Sequence, residues 1–201
     1  DGEYFWKLSG RHLMGANSTV SELLLADLAC KFRKPREHAC VLIGGLGLGF
    51  SLRRVLEISG PKASAHVSEL LPEVVAWNRE FLGGLNGKLL DDSRVQILTR
   101  DVFDCIKQGP GRYDAILLDV DNGPTSFVQA KNSRIYTGNG LWLIHRALRP
   151  GGRVAFWSAD REPAFLANLT RAGFRAEEFE AKSNERAKRA AHRIYVGEVE
   201  G

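Results

Sequence analysis

The sequence predicts an α/β fold: a Rossmann-like, doubly wound, mostly parallel seven-stranded sheet preceded by a short N-terminal extension. Three observations lead there. From residue 40 onward, short runs of aliphatic and β-branched residues alternate with amphipathic stretches at helical spacing, the pattern of a parallel sheet covered by helices on both faces. The first run, Cys40-Val41-Leu42-Ile43, passes directly into Gly44-Gly45-Leu46-Gly47-Leu48-Gly49 and then a helix, and glycines let such a turn tighten and bring backbone amides close to a ligand. Glu69, Asp101 and Asp119 each stand just after a predicted strand, on the carboxyl edge where open α/β sheets bind ligands.

Residues 1–38 form the extension. Within it, 4–9 is an edge strand, 10–18 a loop or turn, and 19–32 a helix capped by Ser18 or Thr19. It is too short for a second domain and is expected to lid the cleft of a single ligand-binding domain, 39–201. After the glycine turn a helix covers 51–58, and 63–67 is the second strand. Pro72 is tolerated in a first helical turn, and 73–81 continues that helix with Val74, Val75 and Trp77 or Asn78 at helical spacing. The loop 83–87 breaks it, and 94–98 alternates like a third strand. Asp101 opens the next short helix. Residues 113–118 make the fourth strand, and a helix over 140–148 is stopped by Pro150-Gly151-Gly152. The fifth strand is 153–157. A helix near 163–172 follows, then strands near 174–180 and 193–199 as an antiparallel pair.

Composition excludes several classes. The 201 residues, 44% hydrophobic and 26% charged, suit one globular domain. No run approaches the roughly 18 apolar residues of a membrane-spanning helix. Cys30, Cys40 and Cys105 are odd in number, widely spaced and set among aliphatic residues, which favours reduced thiols and a cytoplasmic protein. The five histidines lack zinc-site spacing, so no metal is expected. The chain begins at Asp1 instead of methionine, so further residues are expected to precede it. The net charge of +4 is uneven: Lys182, Arg186, Lys188, Arg189, His192 and Arg193 crowd before the last strand. They read either as a solvated hairpin tip or as a patch that attracts an acidic substrate or nucleic acid.

The carboxylates carry the candidate chemistry. Glu69 stands at a spacing from the glycine turn that lets it accept hydrogen bonds from two ribose hydroxyls. Asp101 could accept from an adenine amino group or cap the following helix. Asp119 and Asp121, in Leu118-Asp119-Val120-Asp121-Asn122-Gly123-Pro124, hang over the middle of the cleft and suit a cationic partner. The same residues would also build a turn for backbone reasons alone.

The order of the glycine turn, Val67-Ser68-Glu69-Leu70-Leu71-Pro72, Arg100-Asp101-Val102, Tyr113-Asp114-Ala115-Ile116-Leu117-Leu118-Asp119 and Leu148-Arg149-Pro150-Gly151-Gly152 resembles the spermidine synthase family, a branch of the class I methyltransferase fold. The resemblance covers roughly residues 41–157. It implies a transferase that binds S-adenosylmethionine or decarboxylated S-adenosylmethionine through Gly44, Gly45, Gly47, Gly49, Glu69, Leu70, Asp101, Val102 and Asp119. The turn would hold the methionine-derived chain, Glu69 the ribose and Asp101 the adenine amino group, with Asp119, supported by Asp121, acting on the attacking amine. The sequence also departs from the family. Gly47 stands about where an aspartate greets the amine of the decarboxylated donor, and the motif after the fourth strand is shortened. The upstream Tyr-His-Glu appears as Val20-Ser21-Glu22, and little of the N-terminal β-domain that typically mediates dimerisation is present.

Those departures put methyl transfer to a small molecule or amine first and aminopropyl transfer second, with a non-catalytic cofactor-binding module as a third reading. A sulfonium is already an activated leaving group, so positioning would supply most of the acceleration. Nucleic acid is disfavoured as a partner because no Asn-Pro-Pro-aromatic run follows the fourth strand, and a nicotinamide enzyme, suggested by the glycines alone, is disfavoured by the motif order. A membrane is not expected, and a homodimer stays open. Tyr4, Phe5, Trp6, Phe127, Tyr136 and Trp142 are candidates to line an acceptor pocket, or are simply packing residues.

Overall fold

The computed structural model describes residues 5–8, 11–15, 19–86, 88–120, 130–184, 186–187 and 189–201. Strand β1 (Phe5–Leu8) pairs antiparallel with β2 (Arg11–Gly15) in a two-stranded sheet of their own. The expected edge strand therefore does not join the main sheet. A strand needs a partner for its backbone groups, and the segment expected to be loop supplies it.

Helix α1 (Val20–Ala29) leads into β3 (Cys40–Gly44). Then follow α2 (Phe50–Ile58), β4 (Ser64–Ser68), α3 (Pro72–Glu80), the single turn α4 (Gly83–Asn86), β5 (Val95–Leu98) and α5 (Val102–Gln108). The chain continues with β6 (Tyr113–Leu118), α6 (Gly138–Ala147), β7 (Leu148–Ser158), α7 (Pro163–Arg171), β8 (Arg175–Ala181) and β9 (His192–Glu198). The main sheet has seven strands in the order β5-β4-β3-β6-β7-β9-β8. Every neighbouring pair from β5 to β7 is parallel, while β9 runs antiparallel to both β7 and β8. Strand order reverses between β3 and β6, which opens a crevice at their carboxyl ends.

Period-two alternation divides the central strands between two cores. Val41, Ile43, Ala115, Leu117 and Ala155 pack with α1, α2 and α3, whereas Leu42, Ile116, Leu118, Val154 and Phe156 pack with α5, α6 and α7. Helix α1, expected to belong to a lid, is core: Leu25, Ala26 and Ala29 are fully buried against the first of these faces. Its apolar residues have nowhere else to go, since without α1 the middle of that face would meet water. Strand β7 is also longer than expected, beginning at Leu148 and passing through Pro150-Gly151-Gly152; the register irregularity between Tyr113 and Ala115 accommodates them.

The amino ends of the strands are held by charge. Asp114, 1% exposed, accepts from the Cys40 backbone N–H at 2.7 Å and from Arg149 Nη1 at 2.8 Å on one oxygen, while its other oxygen pairs with Arg36. Glu198 meets Arg33 at 2.6 Å and Arg175 at 2.9 Å. Cys30, Cys40 and Cys105 are free thiols. The basic residues before β9 lie in the β8–β9 connection, where Lys182, Arg186 and Arg189 are exposed. Arg193 is instead held within the sheet by Glu178 and Glu180, each at 3.1 Å. No helix among the described residues is long and apolar enough to cross a membrane.

Candidate active site

The crevice is floored by the turn after β3. Gly45, Gly47 and Gly49 have φ of 89°, 50° and 85°, the left-handed region that glycine enters without penalty. At Gly45 a side chain is also excluded by space, because a Cβ would lie 3.1 Å from the Asp119 carbonyl oxygen. Gly44 is needed for packing: its Cβ would stand 3.0 Å from Val102 and 3.1 Å from both Leu118 and Val120. The turn is pinned from two sides. Gly45 N–H donates to Ser68 O at 2.9 Å, and buried Asn78 on α3 donates from Nδ2 to Gly47 O at 2.9 Å. A buried amide on an otherwise apolar helix face is the sequence signal for Asn78, and sequence reasoning gave it no role at the turn.

Glu69 joins the turn to the next loop. Its Oε2 accepts from Leu46 N and its Oε1 from Leu71 N, each at 2.9 Å. A carboxylate has about four acceptor positions, so each oxygen keeps capacity for a further donor such as a hydroxyl. The adjoining Leu70 is 47% exposed and Val102 only 5%, so one presents an apolar surface beside the turn and the other closes its floor.

Asp101 performs the capping that was one of its two expected roles: Oδ1 accepts from Phe103 N at 2.9 Å. Its Oδ2 accepts from Arg134 Nη2, whose guanidinium lies 4.5 Å over the Phe103 ring. Both oxygens therefore already have partners. Arg134 was not legible as a site residue, because nothing in its sequence neighbourhood links it to a position 33 residues away.

At the end of β6 stands Asp119, partly buried, and across from it Glu22 in the first turn of α1. Ser51 Oγ donates to the Glu22 carbonyl at 3.5 Å, tying α1 to the start of α2. Burial, then repulsion from Asp119, pushes the Glu22 carboxyl up to about 8; burial pushes Asp119 up to about 6. Among the described residues neither has a lysine or arginine within ion-pair distance. Two acids facing each other without a cation favour the uncharged forms, and equally favour a positively charged guest. Glu22 is legible only as the survivor of the family's upstream motif.

The sequence-predicted acids Glu69, Asp101 and Asp119 thus meet around one crevice. Asp121, Asn122, Tyr4 and Phe127 lie outside the described residues, as do the side chains of Phe5 and Trp6. Tyr136 is not a pocket residue: it is 7% exposed and packs on Phe156 and Phe165 in the core. Trp142 is 49% exposed on α6, with Arg146 over its ring. Among the described residues no group of three histidine, cysteine or acidic side chains is placed to hold a metal.

A family model described as the spermine/spermidine synthase domain matches residues 20–163. Polyamine aminopropyltransferase 2 of Pseudomonas aeruginosa is 34% identical over 167 residues, covering 78% of this chain and 45% of its own length. Polyamine aminopropyltransferase 1 of Streptomyces coelicolor is 35% identical over 121 residues, covering 58% of this chain and 22% of its own length. The chain therefore spans less than half the length of these relatives. A spermidine synthase solved with the transition-state analogue AdoDATO superposes with a TM-score of 0.73 at 19% identity, over 97% of this chain and 66% of that one. Human methyltransferase-like protein 13 in complex with SAH gives 0.63 at 21% identity, over 90% of this chain and 80% of that one. At these identities the two structures show the shared fold alone.

Proposed function

The chain belongs to the spermine/spermidine synthase domain family, and from that premise we propose that it transfers an aminopropyl group from decarboxylated S-adenosylmethionine to an amine. The sequence placed methyl transfer ahead of this reaction, largely because Gly47 lacks a side chain. Two aminopropyltransferase relatives at 34% and 35% identity support the reverse order.

The observation that carries the reading is the Glu22–Asp119 pair beside the glycine turn. A sulfonium donor and an amine that is protonated in water are both cations, and bringing them together is unfavourable unless fixed negative charge offsets their repulsion. Two acids without a cation of their own supply it as the cationic guests displace their protons. They also disfavour the α-carboxylate of intact S-adenosylmethionine relative to the decarboxylated compound. Asp119, shifted toward neutrality, is suited to take a proton from the amine. In the reaction the nitrogen lone pair attacks the methylene carbon bonded to sulfur and an N–C bond forms. The C–S bond breaks with its electron pair going to sulfur, the nitrogen proton passes to Asp119, and a neutral thioether departs. The free acceptor capacity on Glu69 fits ribose hydroxyls. Asp101 would receive an adenine amino group alongside its cap bond or in exchange for Arg134.

Calorimetric titration with both forms of the donor tests this. The decarboxylated compound is expected to bind at least tenfold more tightly, about 1.4 kcal/mol, with the preference for it over 5′-methylthioadenosine reduced in Asp119→Asn and affinity for all three reduced in Glu69→Ala. Tighter binding of intact S-adenosylmethionine would return methyl transfer to first place.

A further inference from the structure

One charged side chain at the crevice has no part in the reaction above. Arg134 belongs to the 3-10 turn Ala130–Tyr136, which is tied to two loops at the carboxyl edge of the sheet. Asn132 Nδ2 donates to the carbonyl of Val120, one residue past Asp119, at 3.0 Å, and Arg134 Nη2 donates to Asp101 Oδ2. Asp101 in turn precedes Val102, whose Cγ2 stands 3.0 Å from where a Cβ on Gly44 would lie, at the start of the glycine turn. Any ligand group that takes a place on Asp101 Oδ2 therefore meets the Arg134 guanidinium. That guanidinium is held at two points, by the acid and by the Phe103 ring, 4.5 Å from its carbon, and so presents its remaining N–H groups in a fixed plane. Its Nη1 has no partner among the described residues and, unlike Nε, is not shielded from solvent. The side chain is 39% exposed. The base of a bound nucleoside would thus find a fixed donor beside the acceptor, where Asp101 alone would offer an acceptor only.

We propose that Arg134 sets the base specificity of the nucleoside site: together with Asp101 it admits a 6-oxopurine nucleoside as well as a 6-aminopurine one. This rests on the aminopropyl reading only in placing the 6-position of the base at Asp101. An ionised carboxylate accepts and cannot donate, so Asp101 by itself would select an amino group and repel a carbonyl oxygen. Its Oδ2 keeps an acceptor position beside the one that Arg134 uses, and the amino group donates there with the ion pair intact. A carbonyl oxygen in the same place accepts instead from Arg134 Nη1. That bond is charge-assisted, and the guanidinium offsets the repulsion between the carbonyl and the acid.

The probes are 5′-methylthioadenosine and 5′-methylthioinosine, which differ in the 6-substituent and the N1 proton that accompanies it, titrated calorimetrically into the wild type and Arg134→Leu. The wild type is expected to bind the two within about tenfold of each other. In Arg134→Leu the affinity ratio of inosine to adenosine compound is expected to fall by a further factor of about ten, the lower end of what a hydrogen bond to a charged group is worth. Both ligands are measured on the same sample, so a smaller folded fraction leaves the ratio unmoved. A wild-type preference for the adenosine compound greater than tenfold, a fall of less than about threefold in the variant, or no binding of either nucleoside overturns the assignment; the first of these needs no variant at all. Aminopropyl turnover by the wild type is measured separately. Its absence alongside the expected ratios would sink the reaction and leave the base specificity standing, and turnover with an unmoved ratio would do the reverse.

Discussion

Two aspartates at opposite ends of β6 have opposite surroundings. Asp114, at the amino end, is 1% exposed and saturated by Arg36, Arg149 and the Cys40 N–H. Asp119, just past the carboxyl end, faces another acid and has no cation within ion-pair distance among the described residues. The residue type and the strand are the same, so the difference lies in what the fold supplies. The amino edge has arginines from the segments before β3 and around the start of β7, and the carboxyl edge has a glycine turn and the start of α1. A compensated acid spends its charge on holding strands together. An uncompensated one keeps its charge available to a ligand, at some expense to the free protein.

Substitution at the two positions should separate the roles. Asp119→Asn is expected to lower aminopropyl transfer by roughly 10²- to 10⁴-fold, the usual worth of a positioned acid or base, while leaving the thermal midpoint equal or higher because an unpaired carboxyl is removed. Steady-state rates and a melting curve on the same sample decide it. A variant that melts early would make Asp119 a structural acid. Asp114→Ala should do the reverse, with roughly 3 kcal/mol of stability lost in urea unfolding because two arginines are left facing a buried gap, and nucleoside affinity retained under native conditions. If nucleoside affinity fell in proportion to stability, the two edges would not be independent.

The pH dependence of stability sharpens the contrast. Glu22 has its carboxyl raised from an ordinary 4.5 to about 8. Between those values the folded protein holds a proton that the unfolded chain has released. Stability should therefore fall as pH rises from about 5 to about 8 and level off above. Glu22→Gln is expected to flatten that fall by removing the main titrating group, and to raise the midpoint most at the alkaline end. Thermal midpoints measured across this range check it, and an unchanged slope would mean that Glu22 is hydrated and unshifted.

Much of this arrangement was legible in the sequence, for identifiable reasons. Strand periodicity, the Pro72 helix start and the glycine turn are local signals, and the expected sheet and the expected acids Glu69, Asp101 and Asp119 follow from them. What was not legible depends on contacts distant in sequence. Nothing near Val20-Ser21-Glu22 says that α1 is core, because its apolar spacing fits a lid equally well. The Arg134–Asp101 pair spans 33 residues, and the stacking of Trp157 against His192 depends on β9 being inserted antiparallel beside β7. Strand lengths failed where Pro150-Gly151-Gly152, read as a stop, is carried inside β7 as an irregularity.

Asp101 stands between the two extremes. One of its oxygens is fixed by the Phe103 N–H and the other by Arg134, and the side chains of that pair are 39% exposed for the arginine and 18% for the acid. Water can replace the guanidinium there as it cannot at Asp114. Arg134→Leu should therefore cost no more than about 1 kcal/mol, less than the loss of the cap in Asp101→Ala, which is about 1 kcal/mol together with whatever the ion pair contributes. Urea midpoints of the two variants and their double mutant give the coupling. A value near zero places Asp101 with Asp119, as an acid whose second oxygen a ligand can claim. A value of 2 kcal/mol or more, about what a well-desolvated pair would give, places it with Asp114, and the adenine amino group would then have to find another acceptor.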